Sequence, residues 1–167
     1  MASRIEPPQG APTEPGTPRA AAEAAIEICR GGDWGRGLTI LADLVKERGL
    51  SEHIPGVAYS FLGYGIARYQ KQVKEGLRLC QHAVKVQFYH PDCHLNLARV
   101  QVLAKNRKGA VHAIAQGLAL DPKNAGLRSL QNEIGVRRRP VLGFLSRNNP
   151  VNRTLGKLRR QLKTNES

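Results

Sequence analysis

Aromatic residues make up only 5% of this 167-residue chain, which has a single tryptophan and a single methionine. A β-sandwich or barrel leans on aromatic and β-branched strand residues, so their scarcity points to helices instead. Cysteine is also sparse. Cys29, Cys80 and Cys93 are an odd number, and the opening residues lack the apolar stretch of a secretory signal. A disulfide framework is therefore not expected, and the chain reads as a reduced, cytoplasmic protein. No apolar run has the length that spans a bilayer, the longest being Val57 to Ala67, interrupted by Gly63 and Gly65.

Catalytic patterns are missing as well. There is no glycine-rich phosphate loop, nucleophile elbow, CxxC or HExxH. Between residues 56 and 124 the only acids are Glu75, Asp92 and Asp121, too few and too scattered for paired acid–base work. His90-Pro91-Asp92-Cys93-His94, with Cys80 and His82 upstream, gathers ligand types but not four ligands at zinc spacing. Neither an enzyme, nor a cofactor, nor a metal site is expected.

What the sequence has in excess is positive charge, +13 in total and graded along the chain. Residues 1–55 carry six Lys and Arg against eight acids, whereas 56–167 carry twenty against five. Such a field favours acidic partners, whether a protein, a nucleic acid or an anionic membrane surface, without choosing among them.

Residues 1–17 hold Pro7, Pro8, Pro12 and Pro15 with Gly10 and Gly16 and no helical period, the composition of a disordered arm. Thr17-Pro18 then offers a capping hydroxyl followed by a proline suited to a first helical turn. Beyond it the chain repeats. In Pro91 to Asn124, Leu95, Ala98 and Val102 form one helical stripe. The polar stretch Asn106-Arg107-Lys108-Gly109 reads as a turn, and Ala110, Ile114, Gly117 and Leu118 form a second stripe before Asp121-Pro122. Gly76 to Ala110 and Ala83 to Gly117 are each 34 apart, a period that marks stacked helical hairpins. The copy from Gly56 to His90 carries Tyr59, Leu62-Gly63, Gly76, Cys80 and Ala83. An earlier copy starts at Pro18 and turns through Gly32-Asp33-Trp34-Gly35 into Leu38, Leu41 and Leu44. Small residues at Gly63, Gly76, Ala98 and Ala110 mark places where two helices approach closely.

Leu97-Ala98, Ala110, Gly117-Leu118 and Asp121-Pro122 fall in one ungapped 34-residue window and resemble the tetratricopeptide repeat. His94 and Gln101 stand where that family usually has aromatics. The resemblance implies an all-α fold, a short right-handed solenoid of about three hairpins over 18–135. Its repeats would be 18–55, 56–90 and 91–124, capped by 125–135, where Leu127, Leu130 and Ile134 share a face. It further implies a protein-binding adaptor whose concave face is lined by the first helix of each repeat. By matching position that face would hold Val57, Ser60, Tyr64 and Ala67, then Asp92, Leu95, Arg99 and Val102, with Arg68 and Asn96 nearby. The expected partner is a peptide or helical segment, acidic by charge complementarity. Asn96 and Arg99 alone do not complete the Lys/Asn/Arg set with which chaperone-binding members hold a carboxylate.

Residues 136–167 form a basic extension: Arg137-Arg138-Arg139-Pro140, then an amphipathic helix expected over 150–163. Val151, Leu155, Leu158 and Leu162 share its apolar side, and Arg153, Lys157, Arg159, Arg160 and Lys163 surround it. Three roles remain open from sequence: a second cap on the repeats, a dock for an acidic partner, or contact with nucleic acid or an anionic membrane surface. The amphipathic helix lacks aromatic anchors, and no base-stacking platform is evident.

Overall fold

The computed structural model describes residues 16–51 and 53–135, together with 150, 151, 154 and 155. The described residues form helices and turns without strands. Three hairpins follow one another: α1 (Pro18–Arg30) with α2 (Trp34–Arg48), α3 (Gly56–Tyr69) with α4 (Val73–Val86), and α5 (Pro91–Leu103) with α6 (Arg107–Leu120). A short α7 (Ala125–Glu133) packs on α5 and α6. The expected all-α solenoid of three hairpins is the architecture found. No helix of the described residues is long and apolar enough to cross a membrane.

The helix starts follow from capping chemistry. The Thr17 hydroxyl accepts from the Ala20 N–H at 3.2 Å with Pro18 in the first turn, as the sequence predicts. Asp33 and Asn124 cap α2 and α7 in the same way. Asn106 caps α6 through the Gly109 N–H at 3.0 Å. Residues 106–109 are therefore not a free turn. Only the cap lies outside the helix, and Arg107, Lys108 and Gly109 are its first turn.

The helix crossings explain the small residues. A Cβ on Gly63 would stand 2.7 Å from the Gly76 carbonyl oxygen and 2.9 Å from Cys80 Sγ. One on Gly76 would stand 2.7 Å from the Ala67 methyl. The two glycines thus face each other where α3 crosses α4. Ala110 and Ala98 are fully buried, the latter beside Ala113 and Ile114. Close approach lets the core run on from α1 to α5 through Leu41, Ile54, Phe61, Leu62 and Leu79. Leu95, Ile114, Leu127 and Leu130 form the core around α7.

The helical unit ends at Ile134, and the few described residues beyond it belong to a second unit. Arg137, Arg138, Arg139, Arg153, Lys157, Arg159 and Arg160 lie outside the described residues. Within the extension Pro150, Val151, Thr154 and Leu155 are helical.

Candidate functional site

Most of α3 is covered. Ten of its fourteen residues are buried, because α1, α2, α4 and α5 all pack against it. Residues of α3 expected to line an open groove are accordingly divided. Val57 and Ala67 are core, and Ser60 is 0% exposed, its hydroxyl donating to the Val57 carbonyl at 2.7 Å. Asn96 of α5, also 0% exposed, donates from Nδ2 to Ser60 Oγ at 3.0 Å. Leu95 is buried against α6 and α7. Ser60, Leu95 and Asn96 are therefore corrected from surface to interior. Their helices press together at those positions, and the polar atoms of Ser60 and Asn96 bond one another instead of a ligand.

The remaining members, Tyr64, Arg68, Asp92, Arg99 and Val102, keep exposed surface. The Arg99 guanidinium lies over the Tyr64 ring, 5.1 Å from its centroid, while donating to Asn96 Oδ1 at 3.2 Å. Buried Ser60 and Asn96 thus fix where a surface arginine stands. Tyr64 in turn meets Trp34 edge-on at 5.3 Å, and Trp34 stacks on Phe61 at 5.8 Å. On the same side Arg30 of α1 passes over the Phe61 ring at 5.6 Å and pairs with Asp92 of α5, as well as with Glu27. One face of the first helices therefore reads, across three repeats, Arg30, Phe61 and Asp92 in one band and Trp34, Tyr64 and Arg99 in the next.

Trp34, Phe61 and Arg30 were not among the residues expected on this face. Trp34 belongs to a second helix, and the repeat pattern assigns only first helices to it. Its signal was its place directly after the capping Asp33, and the ring meets Phe61 and Tyr64 of α3.

The ligand-type cluster comes apart. His90 Nδ1 accepts from the Asp92 N–H at 3.3 Å and caps α5. His94, buried, is 2.7 Å from the Phe88 carbonyl through Nε2. Burial pushes the Cys93 thiol up to about 12 and raises Cys80 further, with Cys80 Sγ donating to the Ser60 carbonyl. Both thiols stay protonated and unreactive at neutral pH. Among the described residues no three His, Cys, Asp or Glu side chains gather where they could hold a metal ion.

A further surface stands at the ends of the second helices. Val86, Phe88 and Tyr89 are exposed there, Phe88 by 64%, with the two rings edge-to-face at 5.7 Å. Leu120 is exposed one repeat later.

No family model matches the sequence, and no curated protein matches it either. Solved structures do. The tetratricopeptide domain of OM64 from Arabidopsis superposes with a TM-score of 0.56 at 13% identity, covering 71% of this chain and 94% of that one. The second tetratricopeptide domain of human RPAP3, solved with the HSP70 peptide SGPTIEEVD, gives 0.55 at 12% identity over 72% and 97%. The chain has a tetratricopeptide-like fold.

Proposed function

We propose that this protein is an interaction adaptor. The face built from Trp34, Tyr64, Arg68, Arg99 and Val102 binds an acidic segment of a protein partner. The observation that carries this reading is the Arg99–Tyr64 arrangement. Its guanidinium is held by a ring beneath and a buried amide beside it, which leaves donors of the planar fork for a carboxylate. An arginine held in advance loses less conformational freedom on binding than a free surface lysine. Apolar contact comes from Tyr64, Val102 and the edge of Trp34. The RPAP3 domain, similar in fold, is bound to a peptide whose sequence SGPTIEEVD is itself acidic.

The lone tryptophan makes the test direct. Trp34 touches Tyr64 and Phe61, so an arriving segment alters its fluorescence. An array of acidic 12-residue peptides, each paired with its Asn/Gln counterpart, should yield binders that saturate the signal. Arg99→Gln should weaken them about ten-fold or more, since a hydrogen bond to a charged group contributes roughly 1.5–3 kcal/mol. Binding that ignores both peptide charge and Arg99→Gln would refute the assignment.

A further inference from the structure

The turns that join the two helices of each hairpin each hold one residue at positive φ, although the second closes over one residue more, from the Gln72 N–H to the Ile66 carbonyl. Gly32, Lys71 and Lys105 are those residues, with φ of 100°, 61° and 57°. In the first and third turns the following N–H closes back on a carbonyl five residues earlier, Asp33 on Ile28 and Asn106 on Gln101. Glycine is at ease at such φ, whereas a lysine carries backbone strain there. Lys71 and Lys105 are 34 residues apart, so the same strained position recurs one repeat later. Lys74 and Lys108, also 34 apart, lie in the first turns of α4 and α6. There the helix dipole disfavours a cation. The positive charge of this edge is thus placed twice against local preference.

Little opposes it. Glu75 is the only acid in these turns and helix starts after Asp33, and Arg78 holds it through two hydrogen bonds of 2.9 and 2.6 Å. That pairing draws the Glu75 carboxyl below its ordinary range. Among the described residues Lys71, Lys74, Lys105 and Lys108 join no ion pair, though the Lys71 ammonium donates to the Arg68 carbonyl at 3.2 Å. The α4 N-terminus has no side-chain cap at Gln72, and its Val73 N–H turns back to the Lys71 carbonyl at 3.0 Å. At the same place an aromatic ring is open to solvent. Tyr69 ends α3, is 53% exposed, and leans on Trp34 at the start of α2 at 5.9 Å.

A row of ammonium groups beside an open ring matches a polymer with regularly spaced phosphates and flat, unpaired bases. A duplex keeps its bases stacked on each other, and a lipid surface has phosphates but no plane to stack. We propose that this edge binds single-stranded nucleic acid, with a base on Tyr69 and the backbone phosphates on Lys71, Lys74, Lys105 and Lys108. The four lysines are distinct from the residues of the first-helix face, whereas Tyr69 touches its Trp34, so the lysine variants are what separate the two surfaces.

The test uses the full chain and a fluorescein-labelled 15-nucleotide oligouridylate, with a duplex of equal length and phosphatidylserine vesicles as rival probes. The single strand should bind more tightly than the duplex. Tyr69→Ala should weaken oligouridylate binding about ten-fold and leave duplex binding unchanged. The double variant Lys71→Gly, Lys105→Gly suits the backbone at both turns, so it keeps the fold by circular dichroism. It should flatten the slope of log affinity against log salt by about 1.4, roughly 0.7 for each phosphate no longer neutralised. Lys123→Gln, in the turn between repeats, should change neither result. Oligouridylate affinity equal in wild type and both edge variants would overturn the proposal, as would a preference for vesicles or for the duplex.

Discussion

Gly76 sits where α4 crosses α3, and the space it leaves is already filled by the Ala67 methyl and the Gly63 backbone. Gly76→Ala should therefore cost about 1–3 kcal/mol in stability even though alanine favours helix, because packing strain outweighs propensity here. A urea titration reads the difference, and a neutral or stabilising result would place the crossing elsewhere. Ala110→Trp should be more damaging, and a change at exposed Lys108 should be nearly silent. The opposite sign is expected at the strained lysines. Lys71→Gly and Lys105→Gly should each stabilise by about 0.5–1 kcal/mol, the relief of left-handed backbone exceeding glycine's extra freedom in the unfolded chain. A lower melting temperature in either variant would show that the lysine side chain holds its turn. The small residues were legible in the sequence because spacing alone marks a crossing. Left-handed lysines were not, since nothing in a sequence distinguishes them from ordinary solvated ones.

At the scale of the element, α5 ties the molecule together. Asn96 bonds Ser60 on α3 and positions Arg99 on the surface. Replacing Asn96 with Ala strands both partners and should cost about 1–3 kcal/mol, and it should also loosen Arg99. The start of α5 is sensitive to acid. Burial lowers the His90 pKa and nearby Arg30 adds to this, against the pull of Asp92. Because the folded state holds neutral His90, the unfolded chain binds the proton more readily. Stability is full above the ordinary histidine pKa of 6.5 and falls as pH drops below it toward the lowered folded value. His82, lowered by burial beside Arg78 and Lys85, acts in the same sense. Melting temperature should thus decrease from pH 7 to pH 5, and less so in His90→Asn, which keeps a capping side chain. An identical pH dependence in the variant would remove His90 from this role. The helices were readable from their period and the α1 cap from Thr17-Pro18, whereas the caps at His90, Asn106 and Asn124 were not read. The open side of α3 and α5 was not readable, because a helix packed on several sides has no polar face to reveal it. Position within the repeat pattern therefore assigned Ser60, Leu95 and Asn96 to a surface they do not reach.

Over the whole molecule, stacking three hairpins exposes two kinds of repeated feature, a face of first helices and an edge of turns. The fold was legible as a period of 34, a quantity that survives when individual aromatics are replaced, as at His94 and Gln101. The surfaces were less so, since each is composed of residues far apart in sequence: Arg30 with Asp92, Trp34 with Tyr64, and Tyr64 with Arg99. Binding through the first-helix face is tested most directly by titrating an acidic peptide selected from the array into wild-type protein and Arg99→Gln while following Trp34 fluorescence. A saturable change that shifts to at least ten-fold higher concentration in Arg99→Gln, with the neutralised peptide silent in both, is the expected result. Superimposable titrations of wild type and variant, or no peptide-dependent change at Trp34, would contradict it.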